Sequence, residues 1–330
     1  MKEKWKPHII AVNALIVFII LGLACAATPD PQSESETQSQ YQPQQYYDLL
    51  NGNLVIHDGV PSIRYRQYEK KNLTSVTIPN SVTEIGDGAF ADNQLTSVTI
   101  PNSVTKIGAG AFANNKLTSV IIPNSVTTIN GYFSFYNGKI NSSGAFQENQ
   151  LTSVTIPNSV TSIGGGVFFD NQLTSVIIPN SVTSIGDGAF ANNKLTSVII
   201  PNSVTYIGDN AFNNNQLTSV TIPNSVTKIG DGAFANNQLT SVTIPNSVTS
   251  IKKWAFANNP LTSITISDNV ASFDANIFSG ARNLTRISIG ANVDIDGSMP
   301  FNFNNYYRYN NNRQAGIYTF KDGEWKRTNR

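Results

Sequence analysis

Acidic side chains recur at Asp87, Asp187, Asp209 and Asp231, each directly after a glycine, and carboxylates brought together in pairs perform general acid and base work on glycosidic bonds. The setting argues against that use. Aspartate beside glycine makes local backbone hydrogen bonds in turns, and no acid pair stands apart from the recurring ones to mark a unique centre. Histidine offers less, because His8 and His57 are the only two, too few for a multi-histidine metal site or a triad once His8 is assigned to a leader. Cys25 is the single cysteine, so an intrachain disulfide is ruled out. No catalytic residue, metal or cofactor is expected.

Recognition chemistry has better support. Tyr132, Phe133, Phe135 and Tyr136 place four aromatics within five residues, and such side chains dominate binding hot spots. The competing expectation is that Tyr132, Phe133 and Phe135 fold back as a satellite apolar cluster. A second candidate series is Thr99, Ile121, Thr155, Ile177, Ile199 and Thr221, one residue per repeat, with Thr77, Thr243 and Thr265 at the same place. Stacked, they form a threonine and isoleucine ribbon that could dock a protein, although threonine ladders also suit strands. Glu84, Lys106, Tyr206 and Lys228 vary from repeat to repeat and could set specificity.

These residues are positioned by a unit that begins at Leu73, Leu95, Leu117, Leu151, Leu173, Leu195, Leu217, Leu239, Leu261 and Leu284, with a spacing of 22 residues except for one gap of 34 and a last of 23. A period of this length means a solenoid, each coil burying its apolar face against its neighbours. Residues 51–72 carry a degenerate copy and read as the N-terminal cap. The Ser-Val-Thr-Ile segment, as in Ser97 to Ile100, alternates and is β-branched, so it is expected to supply the parallel sheet, with Val and Ile inward and Thr outward. Pro101-Asn102 turns the chain, Val104 to Ile107 can form a second extended run, and the residues after Gly-x-Gly are long enough for one helical or 3₁₀ turn. The longer gap is a 12-residue insertion at 131–142.

Leu-x-x-Val-x-Ile followed by Pro-Asn-Ser-Val-Thr-x-Ile-Gly-x-Gly-Ala-Phe resembles the BspA-type, or Treponema pallidum-type, leucine-rich repeat over residues 51–301. The resemblance implies a β-rich solenoid: a right-handed stack of 22-residue coils with a parallel sheet and short helical or 3₁₀ turns. It departs from the general leucine-rich pattern, which has Asn or Cys where Ser81 stands. The asparagine ladder is therefore expected at Asn93, Asn115, Asn171, Asn193, Asn215 and Asn237.

Lys2, Lys4 and Lys6 precede an apolar run from Ile9 to Leu23, which reads as a secretory leader at 1–24. The run is shorter than the about 20 residues of a membrane span. Leu21-Gly22-Leu23-Ala24-Cys25 is similar to a bacterial lipobox, which implies lipid attachment at Cys25, with Gly22 where leucine is usual. Ala24-Cys25-Ala26 also suits ordinary cleavage, so two processings fit. Residues 25–50 are expected to form a tether, since Thr28 to Gln45 is rich in Pro, Gln, Ser and Glu. Without the leader the net charge passes from +1 to −1, which gives no sign of a nucleic-acid partner. Residues 302–330 read as a C-terminal cap with a hairpin around Asp322-Gly323.

The resulting expectation is an exported cell-surface recognition protein, adhesin-like, held by an outer-membrane lipid anchor or else secreted. Its partners would be proteins or glycans on host matrix or on other bacteria, as the resemblance implies. The alternatives are a structural envelope component and a glycan-active β-solenoid enzyme.

Overall fold

Isoleucine followed by a small residue sets the spine of the molecule. The computed structural model describes residues 46–330 apart from 138, 271, 274, 275, 291, 292, 296–302, 304, 305, 308–312, 329 and 330. Eleven two-residue strands, from Ser62–Ile63 to Asp294–Ile295, form one sheet. All pair in parallel and in register, Ile63 to Ile85 to Ile107 to Ile129 and onward through Ile163, Ile185, Ile207, Ile229 and Ile251. The stack is a β-solenoid of leucine-rich-repeat coils.

This ladder corrects the expectation that Ser-Val-Thr-Ile carries the main sheet. That segment pairs only in pieces: Asn53–Ile56 with Ser75–Thr77, Ser119–Ile121 with Ser153–Thr155, and Ser241–Ile244 with Ser263–Ile266 and Arg286–Ile289. Between the pieces run isolated bridges, Thr155 to Ile177 to Ile199 to Thr221. The reason is the distance between coils. The Gly86 amide donates to Ile63 O at 2.8 Å and the Gly108 amide to Ile85 O at 2.7 Å. A Cβ on Gly86 would stand 2.7 Å from Ile63 O, so glycine lets the coils close at this corner. On the other side the Thr118, Thr174 and Thr196 amides reach the preceding coil at 3.5, 3.4 and 3.4 Å, at the weak end of hydrogen bonding.

Among the described residues the turn after each isoleucine is not a helix. Ala89 and Ala91 donate back three residues, to Gly86 O and Gly88 O, as in a 3₁₀ turn, whereas Gly88, Phe90 and Asp92 donate to Ala109, Ala111 and Ala113 of the next coil. Every second amide therefore leaves its own coil, which an α-helix would keep inside. The second glycine of the pair, as at Gly88 and Gly188, lies at φ +63° and +61°, the left-handed region open to glycine. Four residues later the same region recurs at Asp92, Asn114, Asp170, Asn192, Asn214, Asn236 and Asn258, where Asn and Asp are tolerated.

The next residue is the asparagine ladder. Asn93 Oδ1 accepts the Leu73 amide at 3.0 Å, and its Nδ2 donates to the carbonyls of Tyr68, Phe90 and Ala91 at 2.8 to 3.1 Å. Asn115, Asn171, Asn193, Asn215 and Asn237 repeat this, as do Asn149 and Asn259. Inside them one aromatic per coil forms a column: Tyr68, Phe90, Phe112, Phe146, Phe168, Phe190, Phe212, Phe234, Phe256 and Phe278. Neighbouring rings are stacked with centroids 5.3 to 5.9 Å apart. Burial of each ring stabilises the stack by about 1.5–3 kcal/mol.

Both ends of the column are covered. Tyr47–Leu50 pairs antiparallel with Asn53–Ile56, and the Tyr47 ring meets Tyr68 edge-on at 5.3 Å. This strand lies inside the segment read as tether, which corrects its boundary: Tyr47 packs against the core and the backbone pairs with Asn53–Ile56, contacts that the Gln- and Ser-rich sequence before it has few apolar side chains to make. At the other end Gly316–Lys321 pairs antiparallel with Arg286–Ile289 and with Glu324–Thr328, turning through Asp322 and Gly323. Phe303, Tyr307, Tyr318 and Trp325 are buried there, and burial pushes the Tyr307 hydroxyl up to about 12.

Candidate functional site

Two surfaces emerge, and the first follows from the outward positions of Ser-Val-Thr-Ile. Thr99, Thr155 and Thr221 are exposed, and Ile121, Ile177 and Ile199 are 76%, 82% and 82% exposed. Ile121, Thr155, Ile177, Ile199 and Thr221 are successive rungs in register. Beside them Pro157, Asn158, Pro179 and Asn180 border a groove of about 530 Å³ floored by Val176 and Ile178. Folding does not require isoleucine here, because threonine holds the same place in neighbouring coils.

The second surface is built by the insertion. Phe133–Tyr136 and Lys139–Ser142 form an antiparallel hairpin. Its base fits closely on the following coil: a Cβ on Gly131 would run into Gly165 O, one on Gly144 into Gly166 O, and one on Gly165 would lie 2.9 Å from the Phe133 amide. Phe133 is buried, packing against Phe169 at 5.5 Å and against Ala191. Tyr132, Phe135 and Tyr136 stay exposed, so only Phe133 of the three expected to fold back does so. Coil 151–172 is adapted to this contact, with Gly165 where four coils carry Asp (Asp87, Asp187, Asp209 and Asp231) and Phe169 where five carry Ala (Ala91, Ala113, Ala191, Ala235 and Ala257).

From the hairpin a groove of about 690 Å³ runs along the turns to Trp254. Asp187, Asp209 and Asp231 fall on successive coils within it. Asp187 Oδ1 accepts the Asp209 amide at 2.8 Å and the Tyr206 hydroxyl at 3.4 Å, and Asp209 Oδ1 accepts the Asp231 amide at 2.9 Å. Lys252 Nζ donates to Asp209 Oδ1 at 3.1 Å. Burial holds the Asp187 carboxyl above the ordinary carboxylate range, and burial, with the nearby Asp187 and Asp209, pushes the Tyr206 hydroxyl up to about 12. For Lys252 burial acts downward, yet the bond to Asp209 and the attraction of Asp209 and Asp231 leave it raised. Among the described residues no group of three or more His, Cys, Asp or Glu could hold a metal ion.

The profile of the BspA type Leucine rich repeat region matches the chain in six copies, over residues 61–143, 139–260 and 205–323. The chain belongs to this family. No curated protein matches it. Among solved structures, this BspA-type chain is similar to a leucine-rich repeat protein of Bacteroides ovatus, at 20% identity and a TM-score of 0.48, over 76% of this chain and 64% of that one. It thus spans less than two thirds of that protein's length. It is also similar to a leucine rich cell surface protein of Faecalibacterium prausnitzii, at 22% identity and a TM-score of 0.36, over 77% of this chain and 87% of that one. A third is the pneumococcal vaccine antigen PcpA, at 20% identity and a TM-score of 0.40, over 77% of this chain and 86% of that one.

The other sequence-derived candidates separate in space. Glu84, Lys106, Tyr206 and Lys228 lie in the eleven-strand ladder, where Lys106 Nζ donates to Glu84 Oε1 at 2.7 Å. Cys25 lies outside the described residues. Trp254 escaped sequence reasoning although its signal was visible: Lys252-Lys253-Trp254 stands where most other BspA-type coils read Gly-x-Gly.

Proposed function

We propose that this BspA-type chain is an exported recognition protein that docks a protein partner on its threonine and isoleucine ribbon, in an adhesin-like role toward host matrix or other bacteria. The observation that carries the reading is the line of Ile121, Ile177 and Ile199, each more than three quarters exposed. Large aliphatic groups kept in water where threonine suffices offer apolar area for an interface, and a few such anchors dominate binding energy. The leader at 1–24, Cys25 as an acylation site and the Gln- and Ser-rich tether support presentation at the cell surface. Recognition of this kind uses no cofactor and no catalytic group. Tyr132, Phe135 and Tyr136 provide a second set of exposed anchors on the hairpin.

The test compares binding of the purified protein and of a triple variant, Ile121→Thr, Ile177→Thr and Ile199→Thr, to matrix proteins and to bacterial cells. The variant keeps the fold because threonine occupies this position in other coils. Saturable binding lost in the variant supports the ribbon as the contact face. Equal binding by both proteins moves the site elsewhere, and no binding by the folded protein favours a structural role in the envelope.

A further inference from the structure

The groove between the hairpin and Trp254 has a chemistry the ribbon lacks. At one end stand Phe135 and Ile140, both exposed, and at the other Trp254, 51% exposed. Trp254 has φ +55°, in the position that Gly88, Gly110, Gly166, Gly188 and Gly232 fill in five coils and Arg66, Asn210 and Asn276 in three others. A bulky side chain in the left-handed region is strained, and such strain gathers where a side chain is held for use. Between the aromatic ends, polar groups alternate with Ala191, Ala235 and Ala257. Asn210, Asn213, Asn236 and Asn258 bring carboxamides beside the stacked aspartates. They bond one another, Asn213 to Asn210, Asn236 to Asn213 and Asn258 to Asn236, and each carboxamide has two N–H groups and two lone pairs, more than these bonds use.

We propose that this groove binds a neutral oligosaccharide chain. Sugar rings carry apolar C–H faces that stack on indole and phenyl rings and a rim of hydroxyls that both donate and accept. Those are the two properties that the ends and the floor of the groove present in turn. Polymer repetition suits it as well, since successive coils offer equivalent groups about every 4.8 Å. Charge decides against other occupants. Asp187, Asp209 and Asp231 against Lys252 leave the groove negative, which disfavours sulfated or uronic glycans. A basic peptide is the competing class. Against it, Asp209 is already bound by Lys252, and the Oδ1 atoms of Asp187 and Asp209 are taken by backbone amides. A peptide strand also needs an open backbone edge. Here the Gly188, Asn210 and Gly232 amides are spent on the carbonyls of Asp209, Asp231 and Lys253.

The experiment titrates the protein with neutral hexasaccharides of glucose, xylose, mannose and N-acetylglucosamine, followed by calorimetry and tryptophan emission. Trp325 is buried and Trp5 lies in the leader segment, so in protein lacking that segment a shift in emission on binding reports Trp254. At least one hexasaccharide is expected to bind and to shift the emission. Trp254→Gly and Phe135→Ala should each weaken it by about tenfold or more, while Trp254→Phe retains most of the affinity. Trp254→Gly places the residue of other coils at this position, so its fold is secure and is checked by circular dichroism. Absence of binding by every hexasaccharide at millimolar concentration overturns the proposal, as does binding indifferent to Trp254→Gly. Hexalysine binding that needs Trp254, with no sugar binding, overturns it in favour of a basic peptide. The ribbon variant leaves this site untouched, so either proposal can fail without the other.

Discussion

The ring of Phe133 occupies the space that a β-carbon on Gly188 would need. The insertion is thus seated two coils beyond its own, on a glycine that also lies at φ +61°. Gly188→Ala therefore meets two penalties, backbone strain of about 1–2 kcal/mol and collision with the ring. Phe133→Ala should abolish the second, so the cost of Gly188→Ala falls to about 1–2 kcal/mol in that background. A double-mutant cycle from urea unfolding measures the difference, and additive losses would show that the ring and the glycine are not in contact.

Adjacent asparagines are expected to respond in opposite ways. Asn215→Ala strands the Leu195 amide inside the stack and takes one of two donors from the Phe190 and Phe212 carbonyls, which keep Asn193 and Asn237, a loss of about 1–3 kcal/mol. Asn214, at φ +54°, makes one exposed side-chain bond, to Asn192 Oδ1, and matters chiefly through its backbone conformation. Asn214→Gly should stay within about 0.5 kcal/mol of the parent, while Asn214→Val loses about 1–2 kcal/mol. Thermal melts of the three variants rank them.

Trp254→Gly should stabilise the protein by about 1 kcal/mol, because glycine adopts this φ without strain. Differential scanning calorimetry reads the expected rise in Tm. A fall would mean that the indole is part of the packing.

Asp187 gives the stack a dependence on pH. Burial raises its carboxyl in the folded state above the ordinary value of 3.8, so the folded chain holds this proton more tightly than the unfolded one. The stability it contributes is fully present below pH 3.8 and is lost as pH rises through the folded value. Asp187→Asn keeps an acceptor for the Asp209 amide and does not titrate. Its Tm should exceed that of the parent at pH 7, and the gap should close as the pH falls to 3.8; a gap independent of pH would contradict this.

Much of the scaffold was legible because the same residue must solve the same problem in every coil. Leu73, Val76, Ile78, Val82, Ile85 and Phe90 announce the interior, and a lone interior asparagine such as Asn93 announces the polar ladder. Which run holds the continuous sheet was not legible, since alternation reports burial and says nothing of coil spacing. That spacing closes at Gly86 and opens at Thr118. Phe133 and Phe135 defeat the pattern for a related reason. They share one face of the hairpin, yet the base residue lies over the coils and the other projects past them. Trp254 was a visible break in the repeat whose meaning required its φ.

The seat of the hairpin also bears on how the chain finds its alignment. Coils this alike can assemble one unit out of phase with little loss of packing, a hazard of repetitive sequences. Phe133 and Gly131 break that degeneracy. If the coil beginning at Leu173 took the place of the one beginning at Leu151, Asp187 would replace Gly165 against the Phe133 amide and Ala191 would replace Phe169 against the ring. The loop that interrupts the pattern is therefore also the registration mark by which an otherwise uniform chain can count its own coils.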